Sequence, residues 1–461
     1  TPQLIRVSDD THVWADRYDA VMADIFEVQS NIARQVITAL NVALLEPDRE
    51  RFEARPTDDL EAYDYFLRGN DYYGRSIAPQ DMESAIRLYQ QAADLDPEFA
   101  QAWARLALAR LRYFWFGYDR ERDDLAQAKA AVDQALQLSP DLPEARTALG
   151  FYYYWGQLDY TRALEQFDMA RRAKPNDAVL WSGIAYVNRR QGNWQESLAA
   201  MDRAIELDPR AYEFFWNQGL TYQILVRYAD AERMYDRALA LAPDAADAYD
   251  MKALLYMVRD GGGERMRGLL RNVAAASDVR VFIRQLATVF GKAAIFRIDA
   301  EYRAALTELS LEDLSAQPAV YYLARTGYFG ADTPADSQQA HYDSARIVLQ
   351  QVEGNRPQDA VLRAQLGIAL AGLGRTDAAI RTGRAAAESM PVEQNALEGS
   401  AVAEILAEIY MMVGEHELAI DQLEYVLSVP AYYLSAAQLR ADPLWAPLRG
   451  KPRFEALLAE N

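Results

Sequence analysis

The chain has 461 residues, 51% of them hydrophobic and 25% charged, a globular mixture long enough for about two to four folded units. Its formal net charge of −20 opposes non-specific binding to nucleic acid or to an anionic membrane surface, because too little positive charge is available to release counterions. No cysteine is present, which excludes disulfides, thiol nucleophiles, iron–sulfur clusters and cysteine-ligated zinc.

From the N-terminus, Gln3 to Val7 and His12 to Tyr18 read as two short strands around a Ser8-Asp9-Asp10 turn. Asp24 to Leu45 follows as an amphipathic helix. Two strands alone are marginal in water and leave exposed edges, so the rest of the sheet is expected upstream or from another molecule. Residue 1 is Thr, which points to a processed chain or a fragment whose address and anchor lie upstream. The longest apolar stretch, Val36 to Leu45, is too short to span a membrane.

Beyond residue 60 the chain is periodic. Prolines fall at 97, 140, 175, 209 and 243, in steps of 43, 35, 34 and 34, and Pro357 and Pro391 are again 34 apart. Twelve residues before each stands a small residue: Ala85, Ala128, Ala163, Ser197, Ala231, Ala345 and Ala379. Five before stands another, at Ala92, Ala135, Ala170, Ala204, Ala238 and Ala386, with Val352 the exception. The text between them is apolar at i, i+3, i+4 and i+7, the signature of an amphipathic helix. The residue before each proline is pushed out of the helical region, which ends the helix. The unit is a helix–turn–helix with small residues where a partner helix comes close. Between 259 and 334 the pattern decays. Gly261, Gly262 and Gly263 mark either a turn or a flexible joint there, and no Lys-Ser/Thr follows to make a phosphate loop.

These residues resemble the tetratricopeptide repeat (TPR). One unit supplies Leu149, Gly150, Tyr153, Ala163, Phe167, Ala170 and Pro175, and another Phe215, Gly219, Tyr222, Ala231, Tyr235, Ala238 and Pro243. The resemblance implies an all-α, right-handed superhelix of nine or ten helical hairpins, preceded here by a short N-terminal β-hairpin and helix remnant. Residues 3–19 with 24–40, and Asp442 to Leu458, are similar to the ends of bacterial proteins in which a TolB-like (FlgO-type) domain precedes TPR arrays behind a signalling module. The implied organisation is the end of a TolB-like domain over 1–52, one array over 61–258, an irregular helical joint over 259–334, a second array over 335–430 and a capping segment over 431–461. In the resembled kinases the corresponding part often lies outside the membrane, which leans the localisation toward an extracytoplasmic one.

No catalytic constellation is legible. His12, His341 and His416 are scattered, and His416-Glu417 lacks the second histidine of a zinc-protease helix because position 420 is Ile. No enzyme activity, cofactor or metal is expected. The aromatic runs Tyr113 to Tyr118, Phe151 to Trp155 and Phe214 to Trp216 are the anomaly, since consecutive helical residues point all round the axis and one helix cannot bury them all. The TPR register aims Tyr63, Phe66, Tyr73, Phe151, Tyr154, Trp155, Tyr186, Arg189, Arg190 and Trp216 at the concave face. Aromatic rings and forked guanidinium groups there point to an extended protein or peptide partner with apolar residues and a carboxylate. The expected function is thus a non-catalytic interaction scaffold, the sensory or adaptor part of a regulatory protein. The alternative is a self-assembling extracellular filament subunit, with the N-terminal strands pairing copies of the chain. Neither nucleic acid nor membrane insertion within this chain is expected.

Overall fold

The computed structural model describes residues 3–6, 11–15, 31–32, 35, 56–116, 123–276, 278–288, 293–314, 317–355, 359–430 and 433–459. The chain divides into two compact units, residues 1–173 and 174–461. That boundary falls inside the array expected over 61–258. Gln3–Arg6 and Thr11–Ala15 pair antiparallel, with a shift in register between Leu4 and Ile5. The residues that would join them lie outside the described residues, as does most of the helix expected over Asp24 to Leu45, so the expected α/β remnant is not established. Every other described element is helical.

In the first unit the helices are α1 (Leu60–Arg75), α2 (Pro79–Leu95), α3 (Ala100–Trp115), α4 (Asp123–Leu138), α5 (Pro143–Phe151), a π-helical turn (Tyr152–Gly156) and α6 (Tyr160–Ala173). The second unit opens with α7 (Ala178–Arg190), α8 (Trp194–Leu207), α9 (Tyr212–Ile224), α10 (Tyr228–Leu241) and α11 (Ala246–Asp260). Shorter helices follow: α12 (Glu264–Ala276), α13 (Val279–Thr288), α14 (Ala293–Ile298), α15 (Ala300–Thr307) and α16 (Pro318–Leu323). Then come α17 (Ala335–Asn355), α18 (Ala360–Gly372), α19 (Thr376–Ser389), α20 (Ala396–Met412), α21 (His416–Ser428), α22 (Ala436–Ala441) and α23 (Pro452–Ala459).

The sequence period is visible as local chemistry. Helices α2, α4, α6, α8 and α10 stop just ahead of Pro97, Pro140, Pro175, Pro209 and Pro243. At several starts a side chain takes up the free backbone donors: Asp59 accepts from Glu61 N and Ala62 N, and Asp177 from Val179 N and Leu180 N. Pro carbonyls are capped from the next helix, by Trp103 Nε1 at 3.0 Å, Arg146 Nη2 at 2.9 Å and Trp181 Nε1 at 2.7 Å. The small residues at both offsets are buried, and between paired helices an aromatic lies flat on a glycine. A Cβ added to Gly219 would sit 2.6 Å from the Tyr235 ring, closer than van der Waals contact allows.

In the second unit the turns of α7–α8, α18–α19 and α20–α21 are left-handed helix caps. Gly192, Gly374 and Gly414 have φ of 74°, 70° and 84°. The next backbone N–H reaches back to Asn188 O, Leu370 O and Tyr410 O, closing the six-residue Schellman bond. Val226 fills the same place with φ 59°, and Arg227 N bonds Tyr222 O at 2.8 Å. The glycine run is likewise a packed turn. Gly261 caps α11 at φ 69°, and an added Cβ would lie 2.8 Å from Ala437 O. Gly261 to Gly263 form the turn between α11 and α12, all three with left-handed φ.

Val226 yields a direct test. A β-branched residue in the left-handed region costs about 1–2 kcal/mol, and this side chain is 66% exposed, so it returns little packing. Val226→Gly is expected to stabilise the chain by about 0.5–1 kcal/mol after the glycine's greater unfolded-state entropy is deducted, read as a higher urea midpoint.

Candidate functional site

The expected aromatic surface separates into buried and half-exposed side chains. In the first unit, Tyr63, Phe151, Tyr154 and Trp155 are buried. Phe151 packs 4.3 Å from Trp155 and edge-on to Phe167 at 5.2 Å, and Trp155 stacks on Trp115 at 6.0 Å. The run Phe151 to Trp155 is accommodated by the π-helical turn, which adds a residue per turn and alters the spacing of successive side chains. Phe151, Tyr154 and Trp155 thereby face the interior. Tyr152 and Tyr153 stay half-exposed beneath Lys129 and Arg162, at 5.8 and 5.5 Å from the ring centres. Phe66 and Tyr73 remain half-exposed. Phe66 lies against Tyr63 and Phe99, and Tyr73 lies under the buried Arg112, 4.9 Å from its ring.

In the second unit, Arg189 and Arg190 are buried rather than presented to a partner. Arg189 leaves the last turn of α7 and donates to Asn217 O at 2.8 Å and Asn217 Oδ1 at 2.9 Å, with Tyr186 beneath it. Arg190 pairs with Glu398 Oε1 at 2.9 Å, on the first turn of α20, and also meets the capping residue Asn395. The correction has a plain cause: a buried guanidinium must be paired, and this chain supplies the carboxylate itself. Tyr186 and Trp216 are half-exposed, and the Trp216 ring nitrogen is buried with no hydrogen-bond partner among the described residues.

The most strongly coupled polar group in the second unit was not legible in the sequence. Arg297, from α14, donates through Nε to Asp442 Oδ1 and Oδ2, both at 2.9 Å, and through Nη2 to Asp442 Oδ2 at 2.7 Å and Glu408 Oε1 at 2.5 Å. Its Nη1 donates to Tyr328 O at 3.1 Å, and Tyr328 Oη donates to Glu408 Oε2 at 2.8 Å. All four side chains are buried. Burial opposes the charge on Arg297, yet the two carboxylates beside it hold its pKa well above the ordinary value. The two carboxylate partners lie 111 and 145 residues from Arg297 in the chain, and no local pattern announces them. The cluster ties the segment expected as an irregular joint to α20 and to the turn after α22.

Asp247, on α11, is a second buried acid. Burial first, then the nearby Glu213 carboxylate, push it up to about 7 although Tyr212 Oη donates to it at 3.2 Å. Among the described residues no group of histidines and acids is arranged to hold a metal ion, and no helix is long and apolar enough to cross a membrane.

Arg297→Met leaves two buried carboxylates uncompensated and is expected to cost about 3–5 kcal/mol in urea unfolding. Arg453→Met, at an exposed arginine paired with Asp421 and Glu424, should leave the urea midpoint nearly unchanged, because solvent screens the pair. For Asp247 the folded pKa lies above the unfolded value of about 3.9, so the folded state holds the extra proton. Its contribution is fully present at low pH and lost as pH rises to about 7. Asp247→Asn should flatten that decline and leave the variant more stable by roughly a few kcal/mol at pH 8, checked by urea midpoints from pH 4 to 8.

A tetratricopeptide-repeat family model matches residues 151–212 and again 183–246. The chain is 33% identical over 156 residues to "Putative adenylate cyclase 3" of Rhizobium meliloti (strain 1021), covering 33% of this chain and 26% of that protein. It is 27% identical over 167 residues to the human protein O-mannosyl-transferase TMTC1, covering 35% of this chain and 18% of that one. The matches thus span about a quarter or less of these relatives. Among solved structures, a thermophilic TPR protein of Thermus thermophilus is similar at 19% identity and a TM-score of 0.36, over 43% of this chain and 100% of that one. The period, the glycine–aromatic contacts and the family match agree: residues 151–246 of this chain are tetratricopeptide repeats.

Proposed function

We propose that the chain is a non-catalytic interaction scaffold that serves as the sensory or adaptor part of a bacterial regulatory protein. TPR modules generally bind other proteins, and stacked helical hairpins offer extended surface for a peptide. The observation that carries the reading is the pair of half-exposed aromatic surfaces backed by buried rings: Phe66 and Tyr73 in the first unit, Tyr186 and Trp216 in the second. Rigid aromatics give a partner contact area at low entropy cost. Tyr63 stacks on Phe66 as support in the first, and Arg189, lying over Tyr186, fixes the shape of the second. The regulatory part of the reading is supported by the partial similarity to a protein named as an adenylate cyclase, and by the TolB-like resemblance of residues 1–52 and of the C-terminal segment.

Selection of a displayed random-peptide library against the intact chain tests this. Peptides that emerge should be apolar with an acidic residue. The best should bind Trp216→Ala or Tyr73→Ala at least tenfold more weakly, the loss expected of an aromatic anchor worth about 2 kcal/mol. Selected peptides that bind both variants as well as the parent would place the surface elsewhere.

A further inference from the structure

Three carboxyl groups share the neighbourhood of Arg297, and one cation faces them. Asp442 receives Arg297 Nε and Nη2, the backbone N–H of Leu444 at 3.0 Å, and Gln438 Nε2 at 3.5 Å. Glu408 receives Arg297 Nη2 and Tyr328 Oη. Each of these two carboxyl groups thus has at least two donors, although burial pushes Glu408 above the ordinary carboxylate range. Glu404, one helical turn before Glu408 on α20, is equally buried, and its Oε1 has no hydrogen-bond partner among the described residues. A negative charge on Oε1 has no donor to meet it among the described residues, and the carboxyl groups of Glu408 and Asp442 act against it. Two further titratable groups lie near Arg297: Tyr342 on α17, which carries no positive charge, and Arg303 on α15, whose Nη1 donates to Phe296 O at 3.0 Å and Arg297 O at 3.3 Å.

We propose that Glu404 holds a structural proton that keeps the segment Tyr433–Ala459 seated, and that loss of this proton releases the segment. The choice of segment follows from the packing. It carries Asp442, the nearest negative charge outside α20, so its departure both admits water to Glu404 and removes a repelling neighbour. It also carries Gln438 Oε1 and Trp445 Nε1, two more buried polar atoms with no partner among the described residues. Its elements are short, the six residues of α22, the 3₁₀ turn Pro443–Leu448 and the eight residues of α23, and none is stable apart from its packing. Helix α20 is buried along nearly its whole length, so its movement would dismantle the core on every side. Release would uncover the apolar seat under Trp445, Leu448 and Phe454, formed by Leu406, Tyr410 and Leu423. Burial and the adjoining Glu408 hold Glu404 well above the ordinary carboxylate range, in keeping with a proton retained at neutral pH.

Hydrogen exchange of the intact chain from pH 6.5 to 9.5 tests this, with each rate corrected for the intrinsic pH dependence. Opening coupled to loss of one proton should grow up to tenfold per pH unit for amides within 433–459, while helix α7 stays unchanged. In Glu404→Gln the same amides should show no pH dependence. Glu404→Leu, which needs no hydrogen bond at that position, serves as the second variant and should behave alike. A flat profile in the parent chain overturns the proposal. So does a pH-dependent rise that persists in either variant, because the proton would then reside on another group.

Discussion

Two helices can make their closest approach only where one of them presents almost no side chain. Every regular feature of this protein follows from meeting that condition once per repeat. The alanines at Ala85, Ala163, Ala231 and Ala379, with their partners seven residues on, are buried because a neighbouring helix occupies the space a larger side chain would need. Gly219 admits the ring of Tyr235 for the same reason. Once that contact is made, its local consequences are cheap. The helix must turn back within a few residues, which calls for a left-handed cap, and it must stop before the next unit, which calls for proline. Val226 shows that the contact outranks the turn. The left-handed geometry is kept even where the residue is poorly suited to it.

The second unit adds a different constraint from residue 259 onward. Its helices α13 to α16 and α22 to α23 are short, and short helices draw their stability from what they pack against. Arg297 supplies a fixed point: one guanidinium, buried, joining α14 to α20 and to the turn at Asp442. Such a group specifies geometry more than it adds net stability, because desolvation offsets much of the attraction. It also leaves the region sensitive to proton number, since Glu404 Oε1 has no donor among the described residues to compensate a charge.

Much of this was legible in the residues. The proline spacing and the two small-residue offsets needed no coordinates, because a 34-residue repeat writes its contacts into nearby sequence. The aromatic surface was only partly legible. Tyr186 and Trp216 remain half-exposed, but the register alone could not reveal that a π-helical turn would send Tyr154 and Trp155 inward. Nor could it reveal that Glu398, 208 residues away, would claim Arg190. The π turn depends on how α5 packs against its neighbours, and the ion pair on where α20 comes to lie.

The sequence by itself therefore determined the repeating unit, the residues at which helices touch, and the lack of any thiol chemistry. These are local properties, set within one repeat length by side-chain size and backbone preference. Only the tertiary structure decided which polar groups are buried and by what they are matched. Arg297 finds Asp442 across 145 residues, and Arg189 finds Asn217 across a helix pair. A charge taken from water must meet its partner wherever the packed helices bring one, and that place is fixed by the sum of all the helix contacts rather than by any stretch of sequence.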